Sequence, residues 1–406
     1  MILARPKLFQ RGRASLWLQA SYWSYFAAVG CLVPYIALYY RHLGLTGPQI
    51  GVLSAVLPLG IALLAPLWGT VTDTFAAHRF VLRAALLLAA LSALAVTRMT
   101  QFGPILIFML LMAVAVSAVP TLLDAYAMTI SDREGRSFGQ LRVWGSIGFI
   151  VAVWFVGWYM GGSISNFFLI AYAAALLLGC AASFGLPPLG SRSTHSMWQG
   201  VSVVIRNRPV VLLLLTAYLV TTNASISTNF MGIYLTELGG STRIVGTASA
   251  LAAISELPML IFGTRLIDRF SSRQVLLLAI GAYCVRYVCY SIPPSPGWAL
   301  AVQLLHGLSF GAYLMASVTL VHQLAGQERA ATAQGLLSST SLGFGAITGA
   351  LVGGALLDQI GAVGVFRVAT GGMILATIVY VLSIGRLGAD FAPAHAPHHA
   401  SEERTV

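Results

Sequence analysis

The chain has 406 residues and a net charge of +11, with 58% hydrophobic and only 9% charged residues. Soluble domains carry roughly 25% charged residues, so this composition excludes an ordinary soluble protein. It also argues against nucleic-acid binding, because the basic residues lie in short segments between apolar runs and form no basic stripe. We therefore expect a protein that is embedded in membrane lipid.

Apolar runs long enough to cross a bilayer recur along the whole chain. Lipid cannot hydrogen-bond the backbone, so these runs are expected to form an all-α bundle. The twelve predicted transmembrane helices lie at residues 15–39, 46–70, 80–98, 102–130, 139–160, 165–186, 210–236, 244–267, 275–292, 297–323, 332–356 and 363–386.

These helices divide the chain into five predicted regions. They are a cytoplasmic N-terminal segment (1–14), a first six-helix half (15–186), a central cytoplasmic linker (187–209), a second six-helix half (210–386) and a disordered cytoplasmic tail (387–406).

The distribution of Lys and Arg predicts the orientation of the chain. With the N-terminus inside, the outer loops hold only Arg41, Arg98, Arg243 and Arg367, while most other basic residues lie in inner loops or at the termini. Positive residues favour the cytoplasmic side of a membrane. Both termini are therefore expected to be cytoplasmic, in a bacterial-type inner membrane.

An internal repeat at a constant offset of 195 residues relates the two predicted halves. A sustained register over many residues indicates a duplicated unit. Parallel six-helix repeats of this kind occur in alternating-access transporters, which bind the substrate at the bilayer midplane between the repeats. The matching pairs include Gly51 with Gly246, Asp73 with Asp268, and Ser146 with Ser341.

The segment 69–79 (GTVTDTFAAHR) resembles the signature between the second and third helices of the major facilitator superfamily, which is G-x-x-x-D followed by a basic pair. Ala76 replaces a glycine of that signature, and His78 replaces one basic residue. Other strings are similar to the phenylpropionate-permease-like branch, which is related to the lactose/oligosaccharide and nucleoside proton symporters. They are 120–125 (PTLLDA), 139–146 (GQLRVWGS), 255–256 (SE), 285–286 (VR) and 303–306 (QLLH).

The resemblance covers essentially the whole chain and implies a fold with two pseudo-symmetric six-helix halves. It implies that Asp124 and Arg142 engage the substrate, and that Glu256, Arg286 and His306 couple transport to protons. The sequence departs from the sugar symporters on the tenth helix. Gln303 and Ser309 stand there where the sugar symporters have Lys and Glu.

The physical chemistry of these five ionisable residues supports the same grouping. An ionisable group at the bilayer centre costs about 2.5–3.5 kcal/mol on insertion scales, so such groups are expected to converge on the bundle interior. Two alternatives stay open for each charge pair. Arg142 either binds an anionic or hydroxylated solute or is locked in a salt bridge with Asp124. Glu256 either carries the proton or forms a static pair with Arg286, and Asp124 is the second candidate proton carrier.

Further candidate site residues lie on predicted helices or at their ends. Tyr22, Tyr25, Asn223 and Gln303 are expected to line the substrate cavity. Gating through charge pairing or helix capping is expected from Asp73, Arg79, Asp268 and Arg273. The cysteines lie in apolar runs without metal-binding spacing, so neither disulfides nor a metal site are expected.

The leading functional hypothesis is proton-coupled symport of a small organic solute, with an aromatic carboxylate such as a phenylpropionate as the favoured substrate. Alternatives are a sugar or nucleoside proton symporter, a proton-driven drug efflux pump and, from a different class, a receptor or lipid-handling protein. No phosphate-binding loop, zinc motif or ATP-binding domain is present in the sequence. We therefore expect no enzyme activity and no cofactor. The expected partners are the solute, the proton and membrane lipid, and the protein is expected to function as a monomer.

Overall fold

The computed structural model describes residues 13–189, 201–292 and 295–387, and the regular structure in these ranges is helical. Nine helical stretches in them are long and apolar enough to cross a membrane, and Phe167–Ser183 is a shorter apolar helix. The N-terminal segment up to residue 12, linker residues 190–200 and the tail from residue 388 lie outside the described residues.

The first six segments form the N-terminal half, and their bounds follow the predicted spans closely. The bounds are α1 (Arg13–His42), α2 (Gly47–Phe75), α3 (His78–Val96), α4 (Phe102–Val116 and Val119–Glu134), α5 (Phe138–Met160) and α6 (Phe167–Ser183).

The C-terminal half follows a short helix, Val201–Val204, and holds six more segments. The long helix Thr242–Ser291 is divided at Ser271 (φ 68°), and Ala346–Leu387 is divided at Gly361 (φ 67°). The segments are α7 (Arg208–Glu237), α8 (242–270), α9 (272–291), α10 (Pro296–Gln303, Gly307–Gly311 and Ala312–Ala325), α11 (Ala330–Ser338, Ser339–Gly345 and 346–360) and α12 (362–387).

The connection between α2 and α3 is shorter than the sequence predicts. The helix α2 continues through Asp73 to Phe75, and within it the Thr72 hydroxyl donates to the Trp68 carbonyl at 2.8 Å. The helix then ends at Ala76, whose φ of 49° is left-handed. Glycine is the usual residue in that conformation, so the glycine of the resembled signature has a physical reason here.

The two halves pack against each other through glycines at one end of the bundle. A Cβ atom on Gly51 of α2 would lie 2.8 Å from the Ala350 carbonyl of α11, and one on Gly246 of α8 would lie 2.8 Å from the Val153 carbonyl of α5. Small residues let helix backbones approach this closely. Because Gly51 and Gly246 are a matching pair of the 195-residue repeat, equivalent positions make equivalent contacts, as expected of pseudo-symmetric halves.

A polar clasp reinforces the same end. Asp358 on α11 forms an ion pair with Arg41 at 2.6 Å, and its other oxygen accepts a hydrogen bond from the Gly47 amide at 2.6 Å. No comparable packing joins Val119–Glu134 to the C-terminal half in the described part of the chain. The halves therefore close at the Asp358 end and separate toward the end that holds Asp73 and Asp268.

We expect Asp358→Asn to lower the thermal unfolding midpoint, because a neutral side chain keeps neither the ion pair nor the charge-assisted bond. Both partners are partly exposed, so solvent screening limits the loss to about 1 kcal/mol. A double-mutant cycle with Arg41→Gln measures the coupling between the two side chains. Glu328→Gln, in an exposed turn, is the matched control.

The pH dependence of this effect has a definite sign. The Gly47 amide holds the pKa of Asp358 below its ordinary value of 3.8. A depressed carboxylate pKa contributes stability above the unfolded pKa and loses it as the pH falls through the folded one. The difference between wild type and Asp358→Asn should therefore stay constant at every pH above about 5. A difference that shrinks between pH values of about 8 and 6 would contradict this assignment.

Candidate functional site

The N-terminal half contributes a tyrosine–carboxylate pair. The fully buried Tyr22 of α1 donates its hydroxyl hydrogen to Asp124 Oδ1 at 2.6 Å. Asp124 lies in the second part of α4, which restarts at Val119 with Pro120 in its first turn. Tyr25 is buried one turn further along α1, with its ring edge-on to Phe26 at 5.3 Å between centroids. The predicted cavity residues Tyr22 and Tyr25 are thus both buried on α1, and Tyr22 holds the Asp124 carboxylate.

Arg142 is not locked to Asp124. Its side chain is exposed one turn into α5, with the guanidinium 5.9 Å from the Phe138 ring centroid. It is close enough to interact electrostatically with the Tyr22 hydroxyl, yet no Arg142–Asp124 ion pair within 4.0 Å occurs among the described residues. The salt-bridge alternative is therefore not the arrangement in this structure, in which Tyr22 is the hydrogen-bond donor to Asp124.

The C-terminal half pairs Glu256 of α8 with His306 of α10. Glu256 Oε1 lies 2.9 Å from His306 Nε2, and the His306 ring stacks on Phe310 at 5.3 Å. The alternative of a direct Glu256–Arg286 pair is absent from the described residues. His306 lies on α10, which packs closely against α8 at this level.

A glycine on α10 produces that close packing. The Gly307 amide donates to Ser255 Oγ at 2.9 Å, and a Cβ atom at Gly307 would overlap the Ser255 carbonyl. Gly307 also begins a π-helical turn that ends at Gly311. Turns of this type often occur at functional sites. Since Glu256 and His306 are the sequence neighbours of Ser255 and Gly307, this contact brings the two ionisable side chains together.

Arg286 of α9 lies behind this pair and is only 2% exposed. Its guanidinium donates to Gln303 Oε1 at 2.7 Å, to Ser309 Oγ at 3.1 Å and to the Tyr290 hydroxyl at 3.3 Å. Gln303 and Ser309 are the two positions at which α10 departs from the sugar symporters. Ser309 was not predicted to be a site residue. The sequence did contain an indication, because Ser309 stands where the sugar symporters have a Glu.

The C-terminal cluster faces a cavity of about 150 Å³ between the halves. Glu256, Arg286, Gln303 and His306 form a polar wall of this cavity, and the N-terminal half contributes apolar residues to its lining. These apolar residues are Val33, Pro34 and Phe149. A lining that combines polar and apolar residues suits a small amphipathic molecule.

Asn223 does not reach this cavity, contrary to expectation. Its amide donates to the Leu219 carbonyl at 2.7 Å within α7, and its side chain lies against Gly372 of α12. The missing side chain at Gly372 makes room for it there. Asn223 therefore belongs to the packing between α7 and α12.

The predicted gating residues lie at the opposite end from the clasp. Asp73 pairs with His78 at 2.9 Å rather than with Arg79, and Arg79 interacts with Tyr126. Asp268 is exposed and lines a second cavity of about 430 Å³ between α8 and α10. The Arg273 carbonyl accepts a hydrogen bond from Tyr380 at 3.0 Å. The structure thus places each residue at this end but pairs Asp73 differently from the expectation.

We expect Tyr22→Phe to lower the free energy of unfolding by about 1–3 kcal/mol, because it leaves the Asp124 carboxylate without its buried donor. Tyr40→Phe is the matched control. The Tyr40 hydroxyl is buried and has no hydrogen-bond partner among the described residues, so its removal should be neutral or stabilising. Denaturation of the purified proteins in detergent measures both values. Equal losses in the two variants would contradict the role of the Tyr22 hydrogen bond.

Comparison with known proteins assigns the chain to a family. The model of the "MFS_1 like family" matches residues 15–368. Maltose permease from Geobacillus stearothermophilus is 31% identical over 350 residues, covering 85% of this chain and 89% of that protein. The probable 3-phenylpropionic acid transporter of Escherichia coli is 26% identical, covering 78% and 84%. A crystal structure of the nucleoside transporter NupG superposes with a TM-score of 0.82 at 17% identity, covering 91% of this chain and 99% of that one. The chain is therefore a multi-pass membrane transporter that belongs to the MFS_1-like family of the major facilitator superfamily.

Proposed function

We propose that this transporter carries a small organic solute together with a proton by alternating access. The observation that carries the proposal is the Glu256–His306 pair, which lines a cavity between the two halves. The halves close at the Asp358 end and separate at the other. With the cytoplasmic termini proposed from the Arg distribution, this is an inward-facing arrangement of a monomer in the inner membrane, with Asp73, Arg79, Asp268 and Arg273 as gating residues.

The Glu256–His306 pair suits a proton carrier because its carboxylate and imidazole are in contact at 2.9 Å and each can accept a proton. A proton that enters from the cavity adds to the shared Oε1–Nε2 contact and leaves the pair with one more positive charge. Asp124 remains the second candidate, with Tyr22 as its hydrogen-bond donor.

An aromatic carboxylate is the leading substrate. Arg142 is exposed beside the Tyr22–Asp124 pair and presents donors that match a carboxylate. A relative that is 26% identical carries the name of a probable 3-phenylpropionic acid transporter. A sugar is the second candidate, because the relative that is 31% identical is called a maltose permease.

We expect Glu256→Gln to abolish accumulation driven by a proton gradient, because the amide cannot load and release a proton. Exchange of labelled for unlabelled solute in liposomes should survive, since it needs no net proton movement. Glu328→Gln is the control and should accumulate solute as the wild type does. Wild-type uptake that persists after an uncoupler collapses the gradient would contradict proton coupling.

A competition assay distinguishes the two substrate classes, and Arg142→Ala tests the proposed contact. Excess 3-phenylpropionate should inhibit proton-driven uptake if carboxylates are the substrates, whereas excess maltose should inhibit it if sugars are. Arg142→Ala should lose uptake while its expression level is unchanged. Unchanged uptake in this variant would remove Arg142 from the substrate site.

A further inference from the structure

We propose that Arg286 binds the carboxylate of the transported solute, and that a proton on the Glu256–His306 pair strengthens this binding. The inference rests on the proposed symport function and specifies its substrate class as small organic monocarboxylates with an apolar body.

The first argument is the charge balance at Arg286. The guanidinium is almost fully buried, and its three hydrogen-bond partners are the neutral oxygens of Gln303, Ser309 and Tyr290. No carboxylate lies within 4.0 Å of it in the described parts of the chain. Three of its five N–H donors are used, so two remain available. A buried cation without an adjacent counter-ion is costly, and a bound anion would reduce that cost.

The second argument is the shape and lining of the cavity. Arg286 is part of the polar wall of the 150 Å³ cavity, and Phe149 and Met231 are among its apolar residues. A carboxylate that meets the guanidinium would direct its apolar body toward Phe149. Arg142 is exposed and does not line this cavity, so it would contact the carboxylate on the path between the cavity and the open end, whereas Arg286 would hold it inside the cavity.

The third argument is the position of Glu256. It interacts electrostatically with His306 and with Tyr283, and Arg286 acts on the same two side chains. While Glu256 is ionised, its charge offsets that of Arg286 and repels an incoming carboxylate. Once the Glu256–His306 pair takes up a proton, the local field favours the anion.

The other titratable groups around Arg286 are phenols and thiols, which carry no charge in their protonated forms. Tyr234 comes from α7, Tyr313 from α10, and Tyr283, Tyr287, Tyr290, Cys284 and Cys289 from α9 itself.

Benzoate binding to the purified full-length protein tests the proposal. We expect the dissociation constant for benzoate to be about tenfold lower at a pH of about 5.5 than at about 7.5, a typical coupling strength between two sites. Benzoate stays ionised at both values. Linkage is reciprocal, so adding benzoate near neutral pH should make the protein take up protons from a weakly buffered solution. Benzyl alcohol has the same ring without the charge and should produce neither effect.

Two variants with matched controls locate the site. Arg286→Gln should lose benzoate binding and proton uptake, whereas Arg329→Gln, in an exposed turn, should keep both. Arg286→Lys keeps the charge and serves if the Gln variant does not fold. It should bind benzoate more weakly but with the same pH trend. Glu256→Gln should bind benzoate tightly at both pH values, whereas Glu328→Gln should keep the wild-type pH dependence.

Several outcomes would overturn the inference. The first two are equal benzoate affinity at both pH values and wild-type benzoate affinity in Arg286→Gln. The others are thermal stabilisation of the protein by chloride as large as that by benzoate, and no binding of either benzoate or 3-phenylpropionate. Proton-driven uptake of a neutral sugar alongside any of these results would leave the proposed symport intact. Conversely, pH-dependent benzoate binding without proton-driven uptake would support the anion site and contradict the proposed transport cycle.

Discussion

The cost of an ionised side chain in lipid governs the arrangement of this bundle. Asp124, Glu256, Arg286 and His306 all lie on transmembrane helices, and none can face acyl chains cheaply. Each is turned inward, where Tyr22 donates to Asp124 and His306 lies 2.9 Å from Glu256. Because lipid excludes these groups from the outer surface, the polar chemistry of the protein is concentrated where the two halves face each other.

The packing of the halves determines which end of that region is open. At Gly51 and Gly246 the helix backbones meet closely, while the Arg41–Asp358 clasp adds a partly exposed polar contact. Helices that pack through small residues expose little additional apolar area when they separate. A solvated ion pair also contributes little net energy. The closed end is therefore held by weak interactions, which suits the alternating access proposed above. Alternation between two states requires such a small energy difference.

Much of this architecture was predictable from the sequence, but the choice of partners was not. Apolar length predicted the spans, and the 195-residue offset related Gly51 to Gly246, which make equivalent contacts in the fold. The pairing of Asp124 with Tyr22 depends on the rotation of α1 and α4 about their axes. Likewise, the packing of Asn223 against Gly372 depends on space left by a glycine 149 positions away in the chain. Such distances and rotations are set by packing, and periodicity along one helix does not contain them.

The two neutral residues on α10 have a consequence for the transport cycle. With Gln303 and Ser309 around Arg286, the cluster retains one permanent cation, and in the proposed cycle Glu256 and His306 share one exchangeable proton. A charged Lys and Glu at these positions would add two further charges and a competing titration next to Arg286. In their absence, one added proton raises the charge of the cluster by one unit. One bound carboxylate cancels that unit, so the proposed cycle carries one proton with each anion. The loaded cluster then has the same net charge as the empty one.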